Sequence, residues 1–268
     1  MVSEFMESYT EWMKERTSWR TYKNEKLEKV DRKLFEEFIA EHHVTPFGNE
    51  PRFRLVDNFS EDGKIGTYGF IRGAQHFLVG AVRESPMSIE DLGYLFEKII
   101  LYATGLGLGT CWLGGTFTRK PAFEKMELGE DETIPAISPV GYKSDRGLIG
   151  KAIRWTAGSR NRKPWSELFY RDNFESPLNN GEGGVYSVGL EMVRIAPSSS
   201  NNQPWRVVLD GDSVHFYHDE KEYSTHKQLD LGIAMCHFDL ANKEQGIPGV
   251  WSKESISDTR YVATWSKL

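Results

Sequence analysis

The sequence predicts an α+β protein assembled from two diverged copies of one unit, and two observations carry that prediction. Strand-like apolar runs, such as Phe53-Arg-Leu-Val56, Phe77-Leu-Val79, Ile134 to Tyr142 and Trp205 to Val208, are separated by stretches whose apolar residues recur at helical spacing. The second half of the chain also echoes the first. Asp91-Leu-Gly93 returns as Asp230-Leu-Gly232, and this offset of 139 residues also carries His76-Phe77 onto His215-Phe216, Gly107 onto Gly246 and Trp112 onto Trp251. Phe53-Arg-Leu-Val56 returns as Trp205-Arg-Val-Val208 at an offset of 152, the difference falling in the turn-rich stretch Asp57 to Lys64. The repeat divides the chain into a first half, residues 1–158, and a second, degenerate half, residues 159–268, intertwined as one globular unit.

Composition narrows the class of function. With 268 residues, 39% of them apolar and 13% aromatic, the chain can bury a sizeable core. A net charge of −6 with positive residues spread along the chain gives no basic stripe for nucleic acid. Cys111 and Cys236 sit in apolar contexts that suit buried thiols better than a disulfide framework. The N-terminal twenty residues lack a continuous apolar signal region, and no stretch approaches the ~20 apolar residues of a membrane span. A cytoplasmic protein without a membrane partner is expected.

The first element is an amphipathic helix carrying Phe5, Tyr9, Trp12 and Met13. Arg16-Thr17-Ser18-Trp19-Arg20 follows, and two arginines four apart with a serine between them can present guanidinium groups and a hydroxyl to one phosphate. Taken alone, such a pair is more often solvated surface. Asp31 to Glu41 reads as a helix, and Thr45-Pro-Phe-Gly-Asn-Glu-Pro51 as a loop. Ile89 to Leu106 is the strongest helix, apolar over much of its circumference, with Ser88 as its N-cap and Asp91 three residues on. Gly105-Leu-Gly-Leu-Gly-Thr-Cys-Trp-Leu-Gly-Gly115 comes next, where glycines let amide N–H groups approach a ligand, although simple C-capping is their commoner use. Arg160-Asn-Arg162 is a basic cluster of the kind usually found in solvated linkers. A helix over Val185 to Ile195 stops near Pro197. Six polar residues, Ser198 to Gln203, then precede the strand that starts at Trp205; they read either as an ordinary turn or as a grip on a flat polar heterocycle.

These segments together resemble the FMN-dependent nitroreductase family. Ala196-Pro-Ser-Ser-Ser-Asn-Asn-Gln-Pro-Trp-Arg-Val-Val208 is similar to its flavin-contacting loop, GLGLGTCWLGG to its G-L-G-(T/S)-C-W-(I/L)-G segment, Arg16 to Tyr22 to its opening R-x-S-x-(R/K)-x-(F/Y), and Ser138-Pro-Val-Gly-Tyr142 to its P-(V/L)-G-Y. The resemblance implies a three-layer α+β fold and FMN as cofactor. It implies phosphate and ribityl contacts from Arg16, Thr17 and Ser18, Arg20 beside N1 and O2 of the ring, and further phosphate cations at Arg160 and Arg162. Trp112, Leu113, Gly114 and Gly115 would contact the cofactor, with an N–H to flavin N5 from Gly114 or Gly115, and Pro197, Ser198, Ser199, Ser200 and Asn201 would close the site.

Family members are homodimers in which each flavin takes the arginine and glycine segments from one subunit and the serine loop from the other. Here the first copy keeps the arginines and glycines without the serines, and the second keeps only the serine loop. The expected form is therefore an intramolecular pseudo-dimer, monomeric, with one FMN between its halves. NAD(P)H would serve as co-substrate and an electron-poor small molecule as acceptor. No catalytic side chain and no metal is assigned; the alternative is a flavin-binding sensor or storage protein without turnover.

Overall fold

The computed structural model describes residues 8–58, 63–144, 161–219 and 222–268; Phe5 and Arg160 lie outside the described residues. The apolar segments fold into two sheets on either side of a helical layer. The first sheet contains β1 (Arg52–Asp57), β2 (His76–Arg83), β3 (Gly109–Thr110) and β4 (Glu132–Gly141), in the order β1-β2-β4-β3. The second contains β5 (Phe169–Arg171), β6 (Trp205–Asp210), β7 (Ser213–His218), β8 (Gly249–Ser252) and β9 (Tyr261–Lys267), in the order β5-β6-β7-β9-β8. Without β5, which joins the edge in parallel to β6, the second order repeats the first strand for strand. The seven residues His76–Val82 of β2 are all buried, because helices cover one face of the sheet and α4 (Arg119–Met126) the other.

Strand pairing corrects one part of the sequence repeat. Phe53 stands opposite Gly80 and Trp205 opposite His218, so β2 and β7 correspond at an offset of 138, one less than the helices that follow them. The faces agree with this register. Leu78 and Phe216 both join the clusters on the helical side of their sheets, whereas Phe77 turns away to pack with Val56 and Met126. The match of His76-Phe77 to His215-Phe216 is thus one of letters alone, since a one-residue slip puts every side chain on the opposite face.

Between the sheets lie α3 (Ser88–Gly105) and α7 (Thr225–Glu244), flanked by α1 (Tyr9–Glu15), α2 (Lys29–Glu41) and α6 (Ser187–Ile195); the short α5 spans Trp165–Leu168. Glycine lets α3 and α7 touch backbone to backbone. A Cβ on Gly93 would lie 2.6 Å from Leu229 O, and one on Gly232 would lie 2.1 Å from Glu90 O. Both pairs of equivalents, Glu90 with Leu229 and Gly93 with Gly232, are separated by the same 139 residues, so the contact is reciprocal, as at an interface with two-fold symmetry.

The N-terminus of α3 differs from its sequence reading. Met87 holds the N-cap position with φ 62°, and Ser88 is the first helical residue, its hydroxyl accepting the Ser85 N–H at 3.3 Å. Asp91 is directed elsewhere, accepting the N–H groups of Phe47 and Asn49 at 3.1 Å each and the Asn49 side-chain amide at 2.9 Å. Both cysteines are buried and free. Among the described residues no helix is long and apolar enough to cross a membrane.

Candidate functional site

A cavity of about 370 Å³ lies where the end of α1, the glycine-rich turn after α3 and the serine loop after α6 meet. Each wall is shaped by local backbone bonding. Beyond α1 the chain runs extended: the Trp19 N–H donates to Thr110 O at 2.7 Å and the Tyr22 N–H to Arg72 O at 2.8 Å. This fixes Arg16, Thr17, Ser18 and Arg20 along one side of the cavity.

Arg16 is the enclosed cation of this wall. Its side chain is 7% exposed, and neither Nε nor Nη1 makes a hydrogen bond among the described residues. Its nearest carboxylate is Glu97, with Oε1 3.7 Å from Nε. Glu97 is fully buried and already engaged, accepting Trp112 Nε1–H at 2.7 Å on one oxygen and facing His237 Nε2 at 3.0 Å on the other. His237 Nδ1 lies 2.9 Å from Met192 O and so donates there. Glu97 is thus shared among three partners, and its approach to Arg16, at 3.7 Å, is the longest of them.

On the second wall, Leu113 exchanges both backbone hydrogen bonds with Ile137, at 2.9 and 3.0 Å, and so holds Trp112, Leu113 and Gly114 against the cavity. A Cβ at Gly114 would stand 2.9 Å from the ring of His226, which reaches in from the second half. Gly115 is off the cavity wall, with nothing within 4 Å of its Cβ direction.

The third wall is the serine loop. Pro197, Ser198, Ser199, Ser200 and Asn201 all line the cavity. Ser200, Asn201 and Gln203 take positive φ values of 52°, 57° and 49°, and the Gln203 N–H donates to Ser198 Oγ at 2.9 Å. Arg162 braces this unusual turn, donating to Ala196 O at 2.9 Å and to Asn201 Oδ1 at 2.7 Å. Burial, and after it the charges of Arg16 and Arg194, lower the Arg162 pKa to about 10.

Sequence reasoning missed Asp230, His226 and Phe70, which also line the cavity. Asp230 and His226 are four apart, with Leu229 and Ile233 on the same face of α7, a spacing that was open to inspection. Asp230 is 4% exposed and receives the Ser199 N–H at 3.0 and 3.1 Å on its two oxygens. Asp91 does the same for the first-copy loop: Phe47 and Ser199 are equivalent at the offset of 152, and Gly48, with φ 79°, matches Ser200. Burial raises the Asp230 pKa to about 8; the Ser199 N–H opposes the shift and Asp219 adds to it.

An acid whose folded pKa exceeds its ordinary value of 3.8 binds a proton that the unfolded chain has lost, from about pH 4 to 8. Stability is therefore expected to fall as pH rises through that window, and thermal midpoints measured across it should fall less in Asp230→Asn.

Among curated proteins, none matches the sequence. A family model described as "Putative TM nitroreductase" matches residues 8–242. Among solved structures, a "putative nitroreductase" from Thermotoga maritima MSB8 is similar in fold at 20% identity and a TM-score of 0.64, covering 100% of this chain and 96% of its own. A nitroreductase with bound FMN from Bacteroides fragilis NCTC 9343 matches 53% of this chain over 91% of its own, at 20% identity and a TM-score of 0.43. A nitroreductase family protein from Clostridium difficile 630 matches 52% over 86%, at 19% identity and 0.41. The family model spans most of the chain, and the protein belongs to the nitroreductase family that this model describes.

Proposed function

We propose that the protein is an FMN-dependent oxidoreductase, a single-chain pseudo-dimer of halves 1–158 and 159–268 that holds one flavin in the cavity between them. The observation that carries the reading is the convergence of two guanidinium groups on one cavity: the enclosed Arg16, with Nε and Nη1 unbonded, and the half-buried Arg162, whose pKa Arg16 helps to lower. Such a pair fits a phosphate of charge near −2, which accepts charge-assisted hydrogen bonds and offsets the repulsion. Hydroxyls of Ser18 and Ser198 to Ser200 line the rest of the cavity for a ribityl chain and a polar ring.

When bound, FMN supplies two-electron hydride chemistry, taking hydride from NAD(P)H and releasing it to a nitroarene or quinone in a ping-pong cycle. The chain's own part is to bind, orient and exclude water. Arg20 and Gly114 both line the cavity; Arg20 would stabilise negative charge at the pyrimidine edge, and the backbone N–H at Gly114 would serve as the donor toward the ring's reacting nitrogen. Trp112 is fixed behind that turn by its bond to Glu97.

Purified protein is expected to be yellow, with about one FMN per chain, and to oxidise NAD(P)H when a nitroarene or quinone is added. A colourless protein that FMN cannot reconstitute overturns the reading. Flavin binding without NAD(P)H oxidation by any acceptor selects a binding protein without turnover.

A further inference from the structure

We propose that Asp230 is a catalytic residue of this cavity, the acid that delivers a proton to the acceptor as the acceptor takes up hydride. The inference rests on the oxidoreductase reading above. Its starting point is a difference between two equivalent carboxylates. Asp91, in the first half, is saturated by three donors, the Phe47 and Asn49 N–H groups and the Asn49 amide. Asp230, in the second, shares a single N–H, that of Ser199, between both oxygens among the described residues. An anchoring role needs no more than Asp91 shows, and Asp91 serves it away from the cavity. Asp230 has the anchor contact and, in addition, a place on the cavity wall.

Its surroundings favour the neutral acid. The carboxyl is almost fully buried, and the charge of Asp219 adds to the effect of burial. On its own helix His226 stands one turn back and is exposed, a route by which water at the mouth can restore a proton. Arg16, Arg20 and Arg162 occupy the other walls. With a pKa of about 8, Asp230 holds its proton at neutral pH and can release it during turnover, the condition for an effective general acid.

The step balances with a quinone as acceptor. The quinone gains a hydride, originating in NAD(P)H and passed on through the cofactor, at one carbonyl oxygen. The Asp230 O–H bond breaks and a new O–H bond forms on the second oxygen, giving the hydroquinone and a carboxylate. Water then reprotonates Asp230, and NAD(P)⁺ is the oxidised product.

The test has two arms. Infrared spectra of the protein without added flavin should show a protonated-carboxyl C=O band at pH 7 that fades as pH passes about 8 and is missing in Asp230→Asn. Flavin-loaded protein should then be compared with a quinone and with ferricyanide, which takes one electron and no proton. A solvent deuterium isotope effect is expected for the quinone alone in the unsubstituted protein. In Asp230→Asn the ratio of quinone to ferricyanide turnover should fall at least tenfold, at the lower edge of the roughly 10²–10⁴ attributed to general acids. A role confined to holding Ser199 would lower both rates together. An unchanged ratio, equal isotope effects for the two acceptors, or no titrating band overturns the assignment. Failure to oxidise NAD(P)H with either acceptor overturns the functional reading, and the role of Asp230 with it.

Discussion

Gly232→Ala is expected to lower the thermal midpoint by roughly 6–12 °C, the shift that about 3 kcal/mol of overpacking gives in a protein of this size. The new methyl group would sit 2.1 Å from the carbonyl oxygen of Glu90, and both partners are helix backbone, which cannot rotate away as a side chain can. Relief requires α3 and α7 to separate along their whole contact, the seam on which the two halves meet. Differential scanning calorimetry checks it. Gly211→Ala, at a turn with nothing within 4 Å of the Cβ, is the control for added bulk, though its φ of 57° adds local strain of its own. A midpoint for Gly232→Ala within a degree or two of the parent would mean that the helices do not cross as closely as described.

Arg16→Ala is expected to weaken FMN binding roughly 10- to 100-fold, from the loss of about 1.5–3 kcal/mol in a charge-assisted contact. The fold should survive, because Glu97 keeps both Trp112 and His237 as partners after the guanidinium is gone. Quenching of flavin fluorescence on titration measures the change. Ser199→Ala should cost less than tenfold, since the backbone N–H that Asp230 holds is retained and other hydroxyls line the same wall. Equal affinities for Arg16→Ala and the parent protein would place the phosphate elsewhere.

What the sequence revealed follows from which signals are local. The apolar circumference of α3, the serine loop and the glycine-rich turn could be read directly, because each depends on spacing within one segment. The repeat was legible on the helices, where Gly93 and Gly232 are held in place by a backbone contact that tolerates no side chain. It was misread on β2 and β7, because pattern matching cannot see which face a residue takes and an aromatic after a histidine recurs one position out of register. The Met87 N-cap was hidden because a left-handed backbone is uncommon for methionine while serine beside it advertises the commoner solution. Three-residue β5 has no period to detect, and it is a strand only because β6 offers an open edge. Asp230 was noticed as a repeated letter and given no role, since a carboxylate on a helix reads as solvated until burial is known.

The seam between α3 and α7 also dictates an order of events during synthesis. Tyr94, Leu95 and Leu101 of α3 find their shelter in a cluster with Leu231, Ala234 and Met235, residues that the ribosome adds only about 130 positions later. At ~5–20 residues per second that gap is on the order of ten seconds. Throughout it the nascent first half carries an oily flank, which leaves it open to aggregation until the second half arrives.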